Sequence, residues 1–230
     1  NNNHEISVIL PDKPREVEPA AFYGSGKKYK VLWLLHGTFG DHSDWIRKSN
    51  IELYACEKDL IVVMPSGLNA NYANWERFSI GYNMYDYFLK ELMPLIYGWF
   101  PASDKREDNF IAGLSMGGAG CMKIGLNNPQ NYAAIGCLSA GAVNRDGIAM
   151  TPERRARMIM TYGIFHSVGT EDFALPSARK TRDFFQGLAG NPFDYTYEEH
   201  PGAHTWEYWD EHIQDFLRFI GLAPVEGIRN

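Results

Sequence analysis

A chain of 230 residues with 45 % hydrophobic and 22 % charged side chains suits one α/β domain, large enough to bury a core without a disulfide or metal staple. Its net charge of −6 argues against the basic face of a nucleic-acid binder, and no stretch approaches the ~20 apolar residues of a membrane span. Cys56, Cys121 and Cys137 form no CxxC pair, so they give neither a disulfide framework nor a zinc site; free thiols fit a reducing, cytoplasmic compartment, while the opening Asn1-Asn2-Asn3 leaves secretion open.

In chain order, Glu5 to Leu10 reads as a first strand, closed by Pro11. A Pro- and charge-rich segment reaches Pro19, and Gly24 to Lys28 makes a turn. Tyr29 to Leu35 (YKVLWLL) is a continuous apolar run, the pattern of a strand buried on both faces of a parallel sheet. Asp44 to Glu57 has helical spacing, and Leu60 to Met64 (LIVVM) is the next strand. Tyr85 to Phe100 reads as a helix that Pro94 must kink or break. Asn109 to Ala112 (NFIA) leads straight into Gly113 and is followed by a helix from Met116 to Asn127. Ala133 to Leu138, Ile164 to Val168 and Tyr195 to Glu198 are the remaining strands, with helices at Pro176 to Leu188 and Thr205 to Ile220. The last helix carries Trp206, Trp209, Ile213, Phe216, Leu217 and Ile220 on one stripe. Residues 141–163 exceed a plain crossover and are expected to form a small helical insertion. Strands alternating with helices give a single α/β domain over residues 1–230, with a mostly parallel sheet covered on both faces.

Gly113-Leu114-Ser115-Met116-Gly117 matches G-x-S-x-G between a strand and a helix. A serine at so sharp a turn holds a strained backbone, and side chains two residues to either side would collide, which is why both positions are glycine. The elbow lifts the Ser115 hydroxyl off the sheet and leaves N–H groups free at a helix N-terminus. Serine is a poor nucleophile without a base. In this arrangement the acid and then the histidine follow, each after a later strand. Asp172 lies in Gly169-Thr170-Glu171-Asp172-Phe173, and His204 in Pro201-Gly202-Ala203-His204. Glu171 and His200 are the competitors; Asp172 is favoured as the shorter acid past the turn, and His204 because His200 still belongs to the strand. His36 and His166 read as structural. His36-Gly37-Thr38-Phe39-Gly40, after the YKVLWLL strand, is the loop that would supply one oxyanion donor, the Thr38 N–H, with the Met116 N–H as the other.

Together, LLHG followed by Trp45, GLSMGG, GTEDF and PGAHTWEYW resemble the putative-esterase family, from about residue 5 to residue 220. That family holds esterase D (S-formylglutathione hydrolase), bacterial tributyrin esterases, feruloyl and acetyl-xylan esterases, and mycolyltransferases. The resemblance implies an α/β-hydrolase fold, a Ser-His-Asp mechanism without metal or cofactor, and short acyl esters as small-molecule substrates. It places the triad on Ser115, Asp172 and His204. Tributyrin-type esterases are the nearest in pattern. Esterase D itself has a Leu-rich oxyanion segment with a cysteine where this chain has His36 to Gly40. An acyltransferase and a formylglutathione-type thioesterase share the triad and stand as alternatives, and a non-catalytic binding module on the same fold is the third. Residues 68–82, with Asn71, Tyr72, Asn74 and Trp75, could face a sugar or pack as a surface loop.

Overall fold

A computed structural model describes residues 3–75, 82–141, 162–188 and 193–222. Seven strands form one sheet: β1 (Ile6–Ile9), β2 (Lys30–Leu35), β3 (Leu60–Pro65), β4 (Asn109–Leu114), β5 (Ala134–Leu138), β6 (Tyr162–Gly169) and β7 (Phe193–His200). Their order is β1-β3-β2-β4-β5-β6-β7, with β1 antiparallel to β3 and every other pair parallel. The chain therefore starts at one edge, turns to the middle, and then adds strands outward to β7.

The apolar runs form central strands because both of their faces are covered. Val31, Trp33, Leu35, Ile61, Val63, Ile111 and Ile135 point to one side, where Met93, Ile96, Cys121, Ile124 and Phe185 meet them. Leu32, Leu34, Val62, Met64, Phe110, Ala112 and Leu138 point to the other, against Trp45, Ile51, Trp209, Ile213, Phe216 and Leu217. This alternation is the period of two of an extended chain. Each such side chain, fully buried, contributes roughly 1.5–3 kcal/mol.

The helices are α1 (Pro19–Tyr23), α2 (Asp44–Lys48), α3 (Ile51–Cys56), α4 (Met84–Tyr87), α5 (Met93–Trp99), α6 (Met116–Asn127), α7 (Leu175–Gln186) and α8 (Trp206–Phe219). Three differ from the sequence reading. The single helix expected from Asp44 to Glu57 is two, because Ser49 is extended (φ −143°, ψ 174°) and Asp210 of α8 takes the backbone and side-chain N–H groups of Asn50. Pro94 does not break its helix. A π-helical turn over Phe88–Leu92 joins α4 to α5 and absorbs the missing N–H and the ring of Pro94 at the start of α5. The segment before residue 24 contains α1, whose Pro19 sits in the first turn. Strand β6 begins at Tyr162, two residues before the expected Ile164. The helical insertion expected at residues 141–163 lies, over residues 142–161, outside the described residues. Among the described residues no helix is long and apolar enough to cross a membrane.

Candidate functional site

The turn from β4 into α6 places Ser115 at the carboxyl edge of the sheet, where ligands of open α/β sheets bind. Ser115 has φ 53° and ψ −117°, a conformation that costs an L-residue energy and is held by its surroundings. Its N–H donates to the Leu138 carbonyl of β5 at 2.9 Å. The flanking glycines are there because nothing larger fits. A Cβ on Gly113 would stand 2.6 Å from the Gly117 carbonyl carbon, and one on Gly117 would stand 2.5 Å from the Leu35 carbonyl oxygen.

Asp172 and His204 arrive on the loops after β6 and β7. Those loops are zipped together: Thr170 N–H donates to the His200 carbonyl (2.8 Å) and Glu171 N–H to the Gly202 carbonyl (2.9 Å). The contact is so close that a Cβ on Gly169 would lie 2.2 Å from the Gly202 oxygen, and Gly202 itself has φ 143°. His204 Nδ1 consequently lies 2.9 Å from both oxygens of Asp172. The carboxylate also accepts the Ala174 N–H at 2.7 Å. Burial alone would raise the Asp172 carboxyl, but hydrogen bonds from His204 and the Ala174 N–H outweigh it and hold the group below its ordinary range. Asp172 therefore stays ionised, buried and paired with the imidazole.

Ser115, His204, Thr38 and Met116 all line one cavity of about 280 Å³, with Ala119, Ser139, Ala140, Phe173 and Ala174 among its other walls. The five residues singled out in the sequence are thus brought together, four on the wall and Asp172 behind His204. Among the described residues, neither the Thr38 nor the Met116 N–H has a hydrogen-bond acceptor, as donors awaiting a developing negative charge should be.

The competitors lie elsewhere. Glu171 is exposed. His200, the last residue of β7, pairs with Glu198 at 3.0 Å and stacks on His212. His36 is buried and fixes the loop that carries Thr38: its Nδ1 donates to the Gly37 carbonyl and its Nε2 accepts the Gly67 N–H, both at 2.7 Å. Only a neutral imidazole can do both, and burial pushes His36 below its ordinary range. His166 bridges Tyr195 and the Ala140 carbonyl inside the sheet.

The sequence reading named the Phe173 loop as shaping the pocket and missed the parts of Trp209 and Ser139. Phe173, 78 % exposed, lays its ring 4.2 Å from that of His204. Trp209 meets His204 edge to face at 4.9 Å and donates its indole N–H to the Ser139 hydroxyl at 2.9 Å. Ser139 follows a central strand, and position at a strand's carboxyl end was the signal that could have found it.

Among the described residues, His200, His212 and Asp215 are the group whose potential metal-ligand atoms come within 4.8 Å of one another. The two rings stack at 4.4 Å and 15°. Imidazole lone pairs lie in the ring plane, so near-parallel rings aim them along separate planes instead of at a shared point. His212 Nδ1 is also hydrogen-bonded to Asp215 at 2.6 Å. A second cavity of about 380 Å³, lined by Leu68, Asn69, Ala70, Trp75 and Tyr82, is tied to the His36–Gly40 loop through Asn69, whose Oδ1 accepts the Phe39 N–H at 2.8 Å. Among the described residues its lining offers apolar contact and no acid–base pair.

A family model described as putative esterase matches residues 2–220. The chain belongs to the putative-esterase family. Among curated proteins it is similar to an acetyl esterase of Caldicellulosiruptor saccharolyticus, at 27 % identity covering 95 % of this chain and 92 % of that one. Among solved structures it is similar to the fluorophosphonate-binding serine hydrolase FphF of Staphylococcus aureus, at 26 % identity and TM-score 0.76, covering 98 % and 92 % of the two chains. An S-formylglutathione hydrolase of the same organism gives 27 % identity and TM-score 0.76, covering 94 % and 92 %. The fold is that of the α/β-hydrolases, and the chain is a serine esterase, a carboxylic ester hydrolase.

Proposed function

We propose that this esterase cleaves short acyl esters of small alcohols, using Ser115 as nucleophile, His204 as general base and Asp172 as the acid that orients it. The observation that carries this reading is the Asp172–His204 pair, fixed at 2.9 Å, sharing its cavity with a serine on a strained turn. With Nδ1–H committed to Asp172, His204 has Nε2 free of its proton. It takes the Ser115 hydroxyl proton as Oγ attacks the ester carbonyl. The oxyanion settles against the N–H groups of Thr38 and Met116. The imidazolium, stabilised by Asp172, then protonates the leaving alcohol. Water, activated by the same base, releases the acid from Ser115.

Cavity size and lining support a short acyl group. About 280 Å³ is small for a binding site, and Met116, Ala119, Ala140 and Ala174 give it apolar wall beside the hydroxyl side chains of Thr38, Ser139 and Ser177. Acetyl esters are the substrates this reading favours, in keeping with the activity named for the Caldicellulosiruptor relative. On the alcohol side, exposed Phe39 and Phe173 offer faces on which a sugar or phenolic ring can rest.

The test is covalent trapping. A fluorophosphonate should add one equivalent to the wild type, and peptide mass analysis should find it on Ser115; acetylated sugars should compete with the labelling, and an acyl glutathione thioester should compete less well. Labelling elsewhere, or none, would contradict the reading.

A further inference from the structure

We propose that Asn69 is a positioning residue for the oxyanion donor, its side chain holding the turn that carries the Thr38 N–H in the form that leaves this donor open to the cavity; the inference rests on the serine-hydrolase reading above. Thr38 is the second residue of a turn closed by the Gly40 N–H on the Gly37 carbonyl at 3.2 Å. The third residue, Phe39, has φ 64°, and within Gly37 to Gly40 it alone is positive. A turn with positive φ at its third position only is of type II, where glycine or asparagine is the usual occupant. Phenylalanine is a poor one. Its Cβ makes the left-handed backbone costly, and its ring gains nothing from burial, being 91 % exposed.

The commonest turn, type I, would relieve Phe39. It differs by a rotation of roughly half a circle of the central peptide, which joins Thr38 to Phe39. That rotation would swing the Phe39 N–H to the opposite side. In this structure the N–H is committed, because Asn69 Oδ1 accepts it at 2.8 Å. The bond forms in the strained turn and is lost in the relaxed one, so Asn69 selects between them. Its own loop, after β3, is stitched to the loop after β2 at two further points. His36 Nε2 accepts the Gly67 N–H at 2.7 Å, and the Tyr72 hydroxyl donates to the His36 carbonyl at 3.2 Å. Leu68 (φ 51°), Asn71 (φ 52°) and Tyr72 (φ 46°) coil that loop tightly around Asn69, and Tyr72 is buried. Both other stitches hold His36, before the turn; Asn69 reaches past Thr38 to the turn's far half. Removing its side chain leaves the His36 end in place and frees the turn.

The oxyanion forms only as the ester carbonyl is attacked, so a displaced donor should be read in kcat and not in KM. With p-nitrophenyl acetate and active sites titrated by fluorophosphonate, Asn69→Ala should lose roughly 5- to 30-fold in kcat with KM within about twofold. That is less than the ~10²–10³ of an outright lost donor, because the donor is misplaced and not removed. Phenylboronic acid, which closes on the serine oxygen as a tetrahedral anion, should bind more weakly by a similar factor. Asn69 is exposed, so the variant should fold, and its unfolding midpoint checks this. The second variant is Phe39→Gly. Glycine takes positive φ without strain, so in that background the turn does not need the anchor, and adding Asn69→Ala should cost less than about twofold. An unchanged kcat in Asn69→Ala, a change confined to KM, or an equal loss in both backgrounds would overturn the positioning role alone. A wild type that neither turns over the ester nor labels at Ser115 would overturn the serine-hydrolase reading and the positioning role with it.

Discussion

His204 and Asp172 share a two-point contact: one ring nitrogen lies 2.9 Å from each carboxylate oxygen, and the Asp172 side chain is wholly buried while that of His204 keeps 17 % exposure toward the cavity. Such a pair can be aimed but not easily dislodged. It makes the two neighbouring candidates, Glu171 and His200, an internal control.

Asp172→Asn should reduce kcat by roughly 10⁴-fold, as expected when the imidazole loses the partner that sets its tautomer. Glu171→Gln, one residue away and exposed, should change kcat by less than about twofold. Likewise His204→Ala should abolish turnover and His200→Ala should not. Steady-state kinetics on the four variants checks this directly.

The glycines of the elbow predict a stability effect. Gly117→Ala must move the Leu35 and His36 carbonyls, which lie 2.5 and 2.6 Å from the new Cβ. Backbone has less room to yield than side chains, so a loss of about 1–3 kcal/mol or more is expected. At about 2–4 °C per kcal/mol for a domain of this size, thermal unfolding should show the shift, together with loss of activity.

His36 predicts a pH effect of defined sign. Its folded-state value lies below the ordinary imidazole value of 6.5, so the stability it contributes is present above that value and is lost as pH falls through the lower one. Protonation would replace the acceptor for the Gly67 N–H with a donor. Denaturant unfolding between pH 7 and pH 4 should therefore show a weaker dependence on pH in His36→Asn than in the wild type.

A surface pair gives a second, more acidic window. Arg179 grips both oxygens of Glu199 at 2.8 and 2.7 Å, and this bidentate contact pushes the Glu199 carboxyl down to about 2. A depressed carboxylate stabilises the fold above its ordinary value of 4.5 and ceases to as pH falls toward about 2. Glu199→Gln should lower stability near pH 7 and flatten its fall between about 4.5 and about 2, where the two proteins converge.

The sequence was most legible where chemistry and geometry demand one residue type. Gly113 and Gly117 announce the elbow because nothing larger fits between the sheet and α6, and the double-sided burial of YKVLWLL and LIVVM announces a parallel sheet. The order serine, acid, histidine picked out residues that the fold brings to one end of the sheet, and the family matched is the one its motifs resembled. What stayed hidden depends on contacts between distant segments. Asn50 ends one helix and begins another because of Asp210, 160 residues away. The π-helical turn that accommodates Pro94 leaves no mark in a pattern of apolar residues. Ser139 looks like any serine after a strand until Trp209, 70 residues away, is placed against it.

The account's central claim is that Ser115 is the nucleophile of a short-acyl esterase, and hydrolysis of p-nitrophenyl acetate, butyrate and octanoate by wild type and Ser115→Ala, side by side, tests it most directly. The account predicts turnover that falls as the acyl chain lengthens and drops by at least about 10³-fold in the variant. Equal turnover by the two proteins, or a wild type inert toward all three esters, would contradict it.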